Sequence, residues 1–553
     1  MHVFCTEHYR CLELIVRTGG EKEGKVQLLK DGKQKFEKTI KPDRKKWIKI
    51  TVEQSTTYEL KYEFTEIGIA YLSGCDDIIE KGVKYLVFNQ EDRSEVLLEK
   101  HYDTPLRDQY HFMPFMNWLN DPNGLCWFQG RYHLFYQSNP FEQKWDDMYW
   151  GHAVSEDLIH WCHLPFVLEP QEKIQNNLRW SGGAFSGCAF PKGGEVYFFL
   201  TRHEQLRGDD STVSEWQTMM KSRDLLNFSE ETVIIPKQPD GAGCDFRDPK
   251  VSEFNGMYYM VVASNMDEQL TMLLYSSENL TDWKYEKPLV TDKEEGATTY
   301  ECPDFFKLDE KYVAIAALMD YSDEYGRYQM SRYYIGEFEN NELRVEQTGW
   351  LDFGGDFYGV QTFVKDEKRI AIGWTSDFND EHIEVPHGSK GGYAIPRVLS
   401  VRNNMLYVEP VPYVYKLKKE LIYIGIDRQI QIANIVGNTY YAELNFKENT
   451  NFNILLGKNG QSEIRLLYEN GIAEIKTYGV KSERTRFPVE VARLEHIEIF
   501  VDRRTIEVYI NRGYAAGTKL FFNENRQGIF EAFFEKETAL SMIELHSMQS
   551  IWK

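Results

Sequence analysis

Asn120-Asp121-Pro122-Asn123-Gly124 runs directly into an apolar stretch at 125–128, a Gln129-Gly130 turn and a second apolar stretch at 132–137. A polar motif opens a hairpin in this way five times. Ser186-Gly187 leads into a hairpin turning at Lys192-Gly193-Gly194, and Arg247-Asp248-Pro249 into one turning at Asn255-Gly256. Glu301-Cys302-Pro303 leads into one turning at Asp309-Glu310, and Asp356-Phe357-Tyr358 into one turning at Asp366-Glu367. Gly, Asn and Asp suit these turns because they tolerate the left-handed backbone of a tight hairpin. The openings at 121, 186, 248, 301 and 356 lie 65, 62, 53 and 55 residues apart, room for four strands per unit. A second marker keeps step with the first: Ser155-Glu156-Asp157-Leu158, Ser222-Arg223-Asp224-Leu225 and Ser277-Glu278-Asn279-Leu280. Five such units predict a five-bladed β-propeller. The innermost strand of each blade starts near the axis, so motifs distant in sequence converge on one pocket.

Outward from the repeat, both flanks are also β-rich. Residues 1–105 carry alternating runs such as Tyr58, Leu60, Tyr62 and Phe64, separated by Lys- and Glu-rich turns. Past Val408-Glu409-Pro410-Val411-Pro412 the repeat stops. There Ile497, Ile499 and Val501 face Ile506, Val508 and Ile510 across an Asp502-Arg503-Arg504 turn, as in a β-sandwich. Helix-period segments are scarce. The expectation is an all-β chain with an N-terminal β-rich accessory domain (1–105), a propeller (106–420) and a C-terminal β-sandwich (425–553). Its 553 residues are too many for a single core.

A net charge of −22 argues against nucleic acid or an anionic membrane as partner, because basic residues would have to dominate such a contact face. No apolar run is long enough to cross a bilayer, and the first residues show no basic n-region followed by an apolar stretch. Cysteines at 5, 11, 75, 126, 162, 188, 244 and 302 include no C-x-x-C pair and read as reduced thiols, so a cytoplasmic location is expected. No His/Cys/Asp set has metal-ligand spacing and no Gly-rich phosphate loop occurs, so no metal or cofactor is expected. Aromatics at 14% suit strands, and also suit a neutral sugar, whose C–H faces stack on rings.

Three carboxylates, Asp121, Asp248 and Glu301, open three different units. Any one of them alone reads as a turn-capping acid. Three at the same point of successive units point instead to a site. Glycoside hydrolysis needs two carboxyl groups flanking the scissile bond, one to attack or to activate water and one to protonate the leaving oxygen. A third can hold sugar hydroxyls, and crowding like charges raises at least one pKa.

Trp118-Leu119-Asn120-Asp121-Pro122-Asn123-Gly124, Phe246-Arg247-Asp248-Pro249 and Tyr300-Glu301-Cys302-Pro303 together resemble the signature motifs of glycoside hydrolase family 32, the invertase and fructanase family. The matches run from about 110 to 415 and continue more weakly to the end. The resemblance implies a five-bladed propeller with a C-terminal β-sandwich. It also implies Asp121 as nucleophile, Asp248 as transition-state stabiliser and Glu301 as general acid/base. Asn120, Gln137, Ser186 and Arg247 would bind fructose hydroxyls. Trp145, Phe185 and Trp374 would form an apolar wall, and Tyr358 would lie near the acid/base. His152 is assigned a structural role.

The activity so implied is that of a retaining β-fructosidase acting on sucrose or a related fructoside. Exo-fructanase and sucrose-6-phosphate hydrolase are variants of that reading. A fructosyltransferase differs only in what attacks the covalent intermediate. A noncatalytic sugar-binding propeller would be expected to lose one of the three acids, and a purely structural β protein leaves the acidic openings unexplained. Residues 1–105 have no counterpart in a minimal member of the family. They either pack on the propeller, bind sugar or join copies into a homo-oligomer, and packing is the expectation. The segment from Arg202-His203-Glu204-Gln205 to Glu215-Trp216-Gln217 is unusual and is expected to shape the leaving-group side of the pocket.

Overall fold

The computed structural model describes residues 2–88, 98–378, 384, 385 and 388–552. Five antiparallel sheets follow one another along the middle of the chain, and each begins with its innermost strand. Those strands are Asn117–Phe128, Trp180–Lys192, Ala242–Phe254, Tyr300–Leu308 and Tyr358–Lys365. Each contacts the next, and the fifth contacts the first, so the sheets close into a five-bladed ring. A short strand, Ser389–Lys390, pairs in parallel with the start of the first inner strand, Ser389 opposite Asn117. It ties the chain that follows the inner hairpin of the fifth blade to the first blade.

One irregularity recurs at the same point of every inner hairpin. Two residues of the inner strand stand against one of its neighbour: Asn120-Asp121 against Gln137, and Phe185-Ser186 against Thr201. Asp248-Pro249 stands against Val262, Cys302-Pro303 against Ala316, and Gly359-Val360 against Gly373. Such bulges leave a residue out of the ladder and bend the strand. Proline, which has no N–H to donate, is therefore tolerated at 249 and 303 in the middle of a buried strand. The bulged backbone is left-handed at Asp248 (φ 66°), Cys302 (φ 47°) and Gly359 (φ 57°).

The second sequence marker is the turn leaving the third strand of the first three blades. Ser155, Ser222 and Ser277 accept the N–H of Leu158, Leu225 and Leu280 at 2.9, 2.8 and 3.0 Å. Each leucine is buried with a left-handed backbone, so the serine hydroxyl and the burial of the side chain together hold a conformation that a branched residue avoids.

The C-terminal part forms two six-stranded sheets. The hairpin read from the sequence pairs Ile497 with Ile510, Ile499 with Val508 and Val501 with Ile506, and all six enter the core between the sheets. Residues 2–85 form two four-stranded sheets around Phe4, Leu12, Leu14, Val26 and Leu60. Val154 and Leu164 of the first blade join that core, and Ile15, Tyr71 and Tyr85 pack with Phe115, Tyr149 and Phe166. The N-terminal sandwich is thus seated on the propeller. A buried ion pair, Lys45 with Asp147, lies in the seam. Of the alternating run at its end, Tyr58 and Leu60 are core, whereas Phe64 is exposed on a turn.

The C-terminal sandwich is locked on by buried charge. Asp502 accepts the backbone N–H of Gln109 at 2.7 Å and of Tyr110 at 2.8 Å. The His111 ring bridges Asp502 and Glu507, 2.9 Å from each. Asp356, in the polar motif that opens the fifth hairpin, gives its carboxylate to Lys519 and the N–H of Leu520. None of the eight cysteines, all among the described residues, forms a disulfide. Among the described residues no helix is long and apolar enough to cross a membrane.

Candidate active site

The bulges of the first, second and fourth blades aim their side chains at one another. Ser186 donates its hydroxyl to Oδ2 of Asp121 at 2.6 Å, and the Gln137 amide reaches the same oxygen at 3.4 Å. Gln137 also donates to Ser186 and accepts from the Asn120 amide at 3.1 Å. Asn120 is in turn held by the Trp118 indole at 2.8 Å. Asp121 thus sits at the end of a chain of neutral donors. Its other flank requires glycine, because a Cβ at Gly359 would lie 2.5 Å from Oδ1.

Glu301 is held by different chemistry. The Tyr358 phenol donates to Oε2 at 2.7 Å, and Arg247 Nε donates to Oε1 at 3.3 Å. Arg247 is itself fixed by Glu215 at 3.1 Å and by Asp245 at 2.5 Å. Asp248 accepts the N–H of Cys302 at 2.8 Å and donates its own N–H to Thr201 at 2.9 Å. Its strained backbone is therefore pinned by the blades on both sides.

These carboxylates feel one another. Burial and then the charge of Glu301 push Asp121 up to about 6. Burial also holds Asp248 well above the ordinary carboxylate range, with Asp121 and Glu301 adding to the rise against the pull of Arg247. A pocket that holds protons near neutral pH suits acid–base work.

The apolar residues divide between wall and rim. Trp374 is buried, lies opposite Tyr358 across the hairpin, and stands edge-on to Trp118 with centroids 5.6 Å apart. Phe185 is buried and stacks flat on His203 at 4.2 Å. Trp145 is 48% exposed and meets Phe185 edge-on at 5.9 Å, so it belongs to the mouth. His152 lies fully buried on Phe135, and burial drives its pKa well below 6.5, so it stays neutral and structural.

Two residues of the arrangement carry no motif of their own. Thr201 occupies the single position opposite the second bulge, as Gln137 does opposite the first. Glu215 is fully enclosed and accepts from Arg247, from the His203 ring at 2.8 Å and from the N–H of Phe246. Burial opposes its ionisation, yet Arg247 and His203 outweigh that and hold it charged. The signal that could have found it was the unusual segment from 202 to 217.

The family model for the glycosyl hydrolases family 32 N-terminal domain matches residues 111–410, and that for the family's C-terminal domain matches 418–548. The chain is 30% identical over 441 residues to a sucrose-6-phosphate hydrolase of Zymomonas mobilis, covering 74% of this chain and 84% of the relative. A glycoside hydrolase family 32 structure from Bifidobacterium adolescentis superposes with TM-score 0.94 at 32% identity, covering all of both chains and so including the N-terminal sandwich. A β-fructofuranosidase of Bombyx mori superposes with TM-score 0.72 at 26% identity, covering 82% of this chain and 96% of its own. With both family domains in order and a relative that matches it end to end, the chain belongs to glycoside hydrolase family 32 and is a glycoside hydrolase of the fructosidase type.

Proposed function

We propose that the protein is a retaining β-fructosidase that removes terminal nonreducing β-fructofuranosyl units from sucrose or related fructosides. The observation that carries this reading is the unequal support of the two facing acids. Asp121 is surrounded by O–H and N–H donors, which favour an anionic nucleophile. Glu301 faces a phenol, which can donate to a carboxylate and accept from a carboxylic acid, as a group that changes state in each half-reaction requires. Glu301 protonates the glycosidic oxygen while Asp121 attacks the anomeric carbon. Asp248 steadies the oxocarbenium-like transition state and holds fructose hydroxyls. Water, deprotonated by Glu301, then attacks the fructosyl–Asp121 ester and releases fructose with its configuration retained. Asn120, Gln137, Ser186 and Arg247 hold hydroxyls, and Trp145, Phe185 and Trp374 supply apolar faces.

A neutral substrate is favoured over a phosphorylated one. Arg247, the cation beside Glu301, is committed to Glu215, Asp245 and Glu301 and so is not free to pair with a phosphate. The test is free-fructose release from sucrose, sucrose 6-phosphate, inulin and levan side by side, with the first anomer formed followed by NMR. β-Fructose as the initial product is expected. Initial α-fructose would exclude retention, and oligosaccharide products in place of fructose would make the enzyme a fructosyltransferase.

A further inference from the structure

A groove of about 800 Å³ lies between the N-terminal sandwich and the first two blades. Its sandwich side is formed by Arg17, the Gly19-Gly20 turn, Lys22 and Phe64, and its propeller side by Asp146 and Arg207. It is continuous with the candidate active site along the chain. Asp146 directly follows Trp145, the aromatic at the pocket mouth. Leu178, also in the groove, precedes the inner strand that delivers Phe185 and Ser186. Eight residues separate Leu178 from Ser186, so at roughly 3.3 Å per residue the groove is no more than about 26 Å from the reacting centre along that strand.

The charge of the groove is spent internally. Arg17 is paired with Glu66 and Glu142, each at 2.7 Å. Arg207 is paired with Asp146 at 2.7 Å and Asp147 at 3.3 Å, and Lys45 with Asp147. Glu21 and Lys22, opposite in charge, complete the lining, so the groove has no strong net charge to draw in an ion. The groove does offer an aromatic ring. Phe64 is 58% exposed, and its backbone is left-handed at φ 47°. A bulky side chain is strained in such a conformation. Here the strain does not serve burial, since the ring is exposed. Lys22 stands over one face of the ring at 4.4 Å, ready to donate to a hydroxyl. An exposed ring beside hydrogen-bonding groups and self-cancelling charges is the chemistry that recognises a neutral polyol.

Resting on the fructosidase reading above, we propose that this groove is a subsite for the distal units of a β-fructan chain whose nonreducing end occupies the propeller pocket. The N-terminal sandwich would then set preference for chain length while taking no part in bond cleavage.

The test uses the full-length enzyme and its Phe64→Ala variant, with sucrose, inulin-type oligosaccharides of increasing length, and levan. For the wild type, kcat/KM is expected to rise about tenfold from sucrose to the longer chains. Phe64→Ala should lose that rise while keeping sucrose turnover within about twofold, since the ring touches nothing in the pocket. In parallel, calorimetric binding of the long chains is compared between Asp121→Ala and the Asp121→Ala/Phe64→Ala double variant. Weaker binding in the double variant is expected. Equal chain-length dependence in wild type and Phe64→Ala, or a wild type that cleaves sucrose but gains nothing from length, overturns the groove and leaves the fructosidase reading standing. No fructose from any substrate, with Phe64-dependent binding of long chains intact, overturns the fructosidase reading and leaves the groove standing.

Discussion

The phenol of Tyr358, at the start of the fifth inner strand, donates to Oε2 of Glu301 on the fourth at 2.7 Å. A hydrogen bond to a charged group contributes about 1.5–3 kcal/mol, a factor of roughly 10–150 in rate if it acts in the transition state. Tyr358→Phe is therefore expected to lower kcat by about 10- to 100-fold with KM changed less than threefold. Steady-state kinetics on sucrose checks this. A variant with full kcat would show that the phenol only fills space.

The three acids should separate by role. Asp121→Ala should abolish turnover, because no nucleophile remains to form the covalent intermediate. Glu301→Ala should recover part of its activity on fructosides with good leaving groups, which need less protonation. Asp248→Asn should reduce kcat more than it raises KM, since a carboxyl able to ionise beside the developing positive charge is replaced by an amide that cannot. Near-normal fructose release by Asp121→Ala would end the proposed mechanism.

Glu215 touches no substrate in this scheme and acts by positioning Arg247. Glu215→Gln keeps the shape but removes the charge that fixes the guanidinium, so kcat/KM should fall by about 10-fold or more. A purely structural role would move thermal stability but leave the pH profile unchanged. A positioning role should also shift the alkaline limb of kcat/KM, because Arg247 binds Glu301.

The raised pKa of Asp121 has a stability consequence. Its folded value of about 6 exceeds the ordinary 3.8, so between those values the folded state binds more protons than the unfolded one. Stability should accordingly fall as pH rises from about 4 to 6 and stay lower above it. Asp121→Asn removes that penalty and should raise stability at pH 7–8 by about 1–3 kcal/mol while eliminating turnover. Thermal melts at pH 4 and pH 8 test this: the gain should be present at the higher pH and absent at the lower.

His111 carries the opposite sign. Burial would lower its pKa, but Asp502 and Glu507 outweigh that and lift it to about 10. Its contribution is full below the unfolded value of about 6.5 and is lost as pH rises through about 10. His111→Ala should cost about 3–5 kcal/mol near pH 6, because two buried carboxylates lose their partner. The difference in melting temperature from wild type should shrink steadily between pH 7 and pH 10. A gap independent of pH would mean that His111 is held neutral.

Much of this architecture could be read from the sequence because turn chemistry is local. Gln129-Gly130, Asn255-Gly256 and Asp309-Glu310 announce their hairpins without reference to the rest of the chain, and the polar openings repeat at blade spacing. What could not be read depends on partners elsewhere. Glu215 lies in a segment that stands out as unusual, but its role appears only when Arg247 approaches from the next blade. Asp356 opens the fifth unit, but nothing local announces that its carboxylate is taken by Lys519 of the C-terminal sandwich. Phe64 continues an apolar alternation past the point where the sheet that would bury it ends. Ser389–Lys390, at two residues, is too short to leave a pattern.

The two-against-one bulges give the ring a modular character. In each blade the ladder on either side of the bulge is held by backbone bonds indifferent to side chains, while the bulged pair stands outside it. Substitution there can alter the chemistry at the axis without re-registering a strand. Only some of the five pairs carry an acid. Phe185-Ser186, Cys302-Pro303 and Gly359-Val360 carry none, and the last two lie beside Glu301 and the phenol that holds it. The scaffold therefore behaves as a rotary holder with exchangeable inserts. New specificities are open to it by exchange at these few positions, provided that the residue at 359 leaves Asp121 its room.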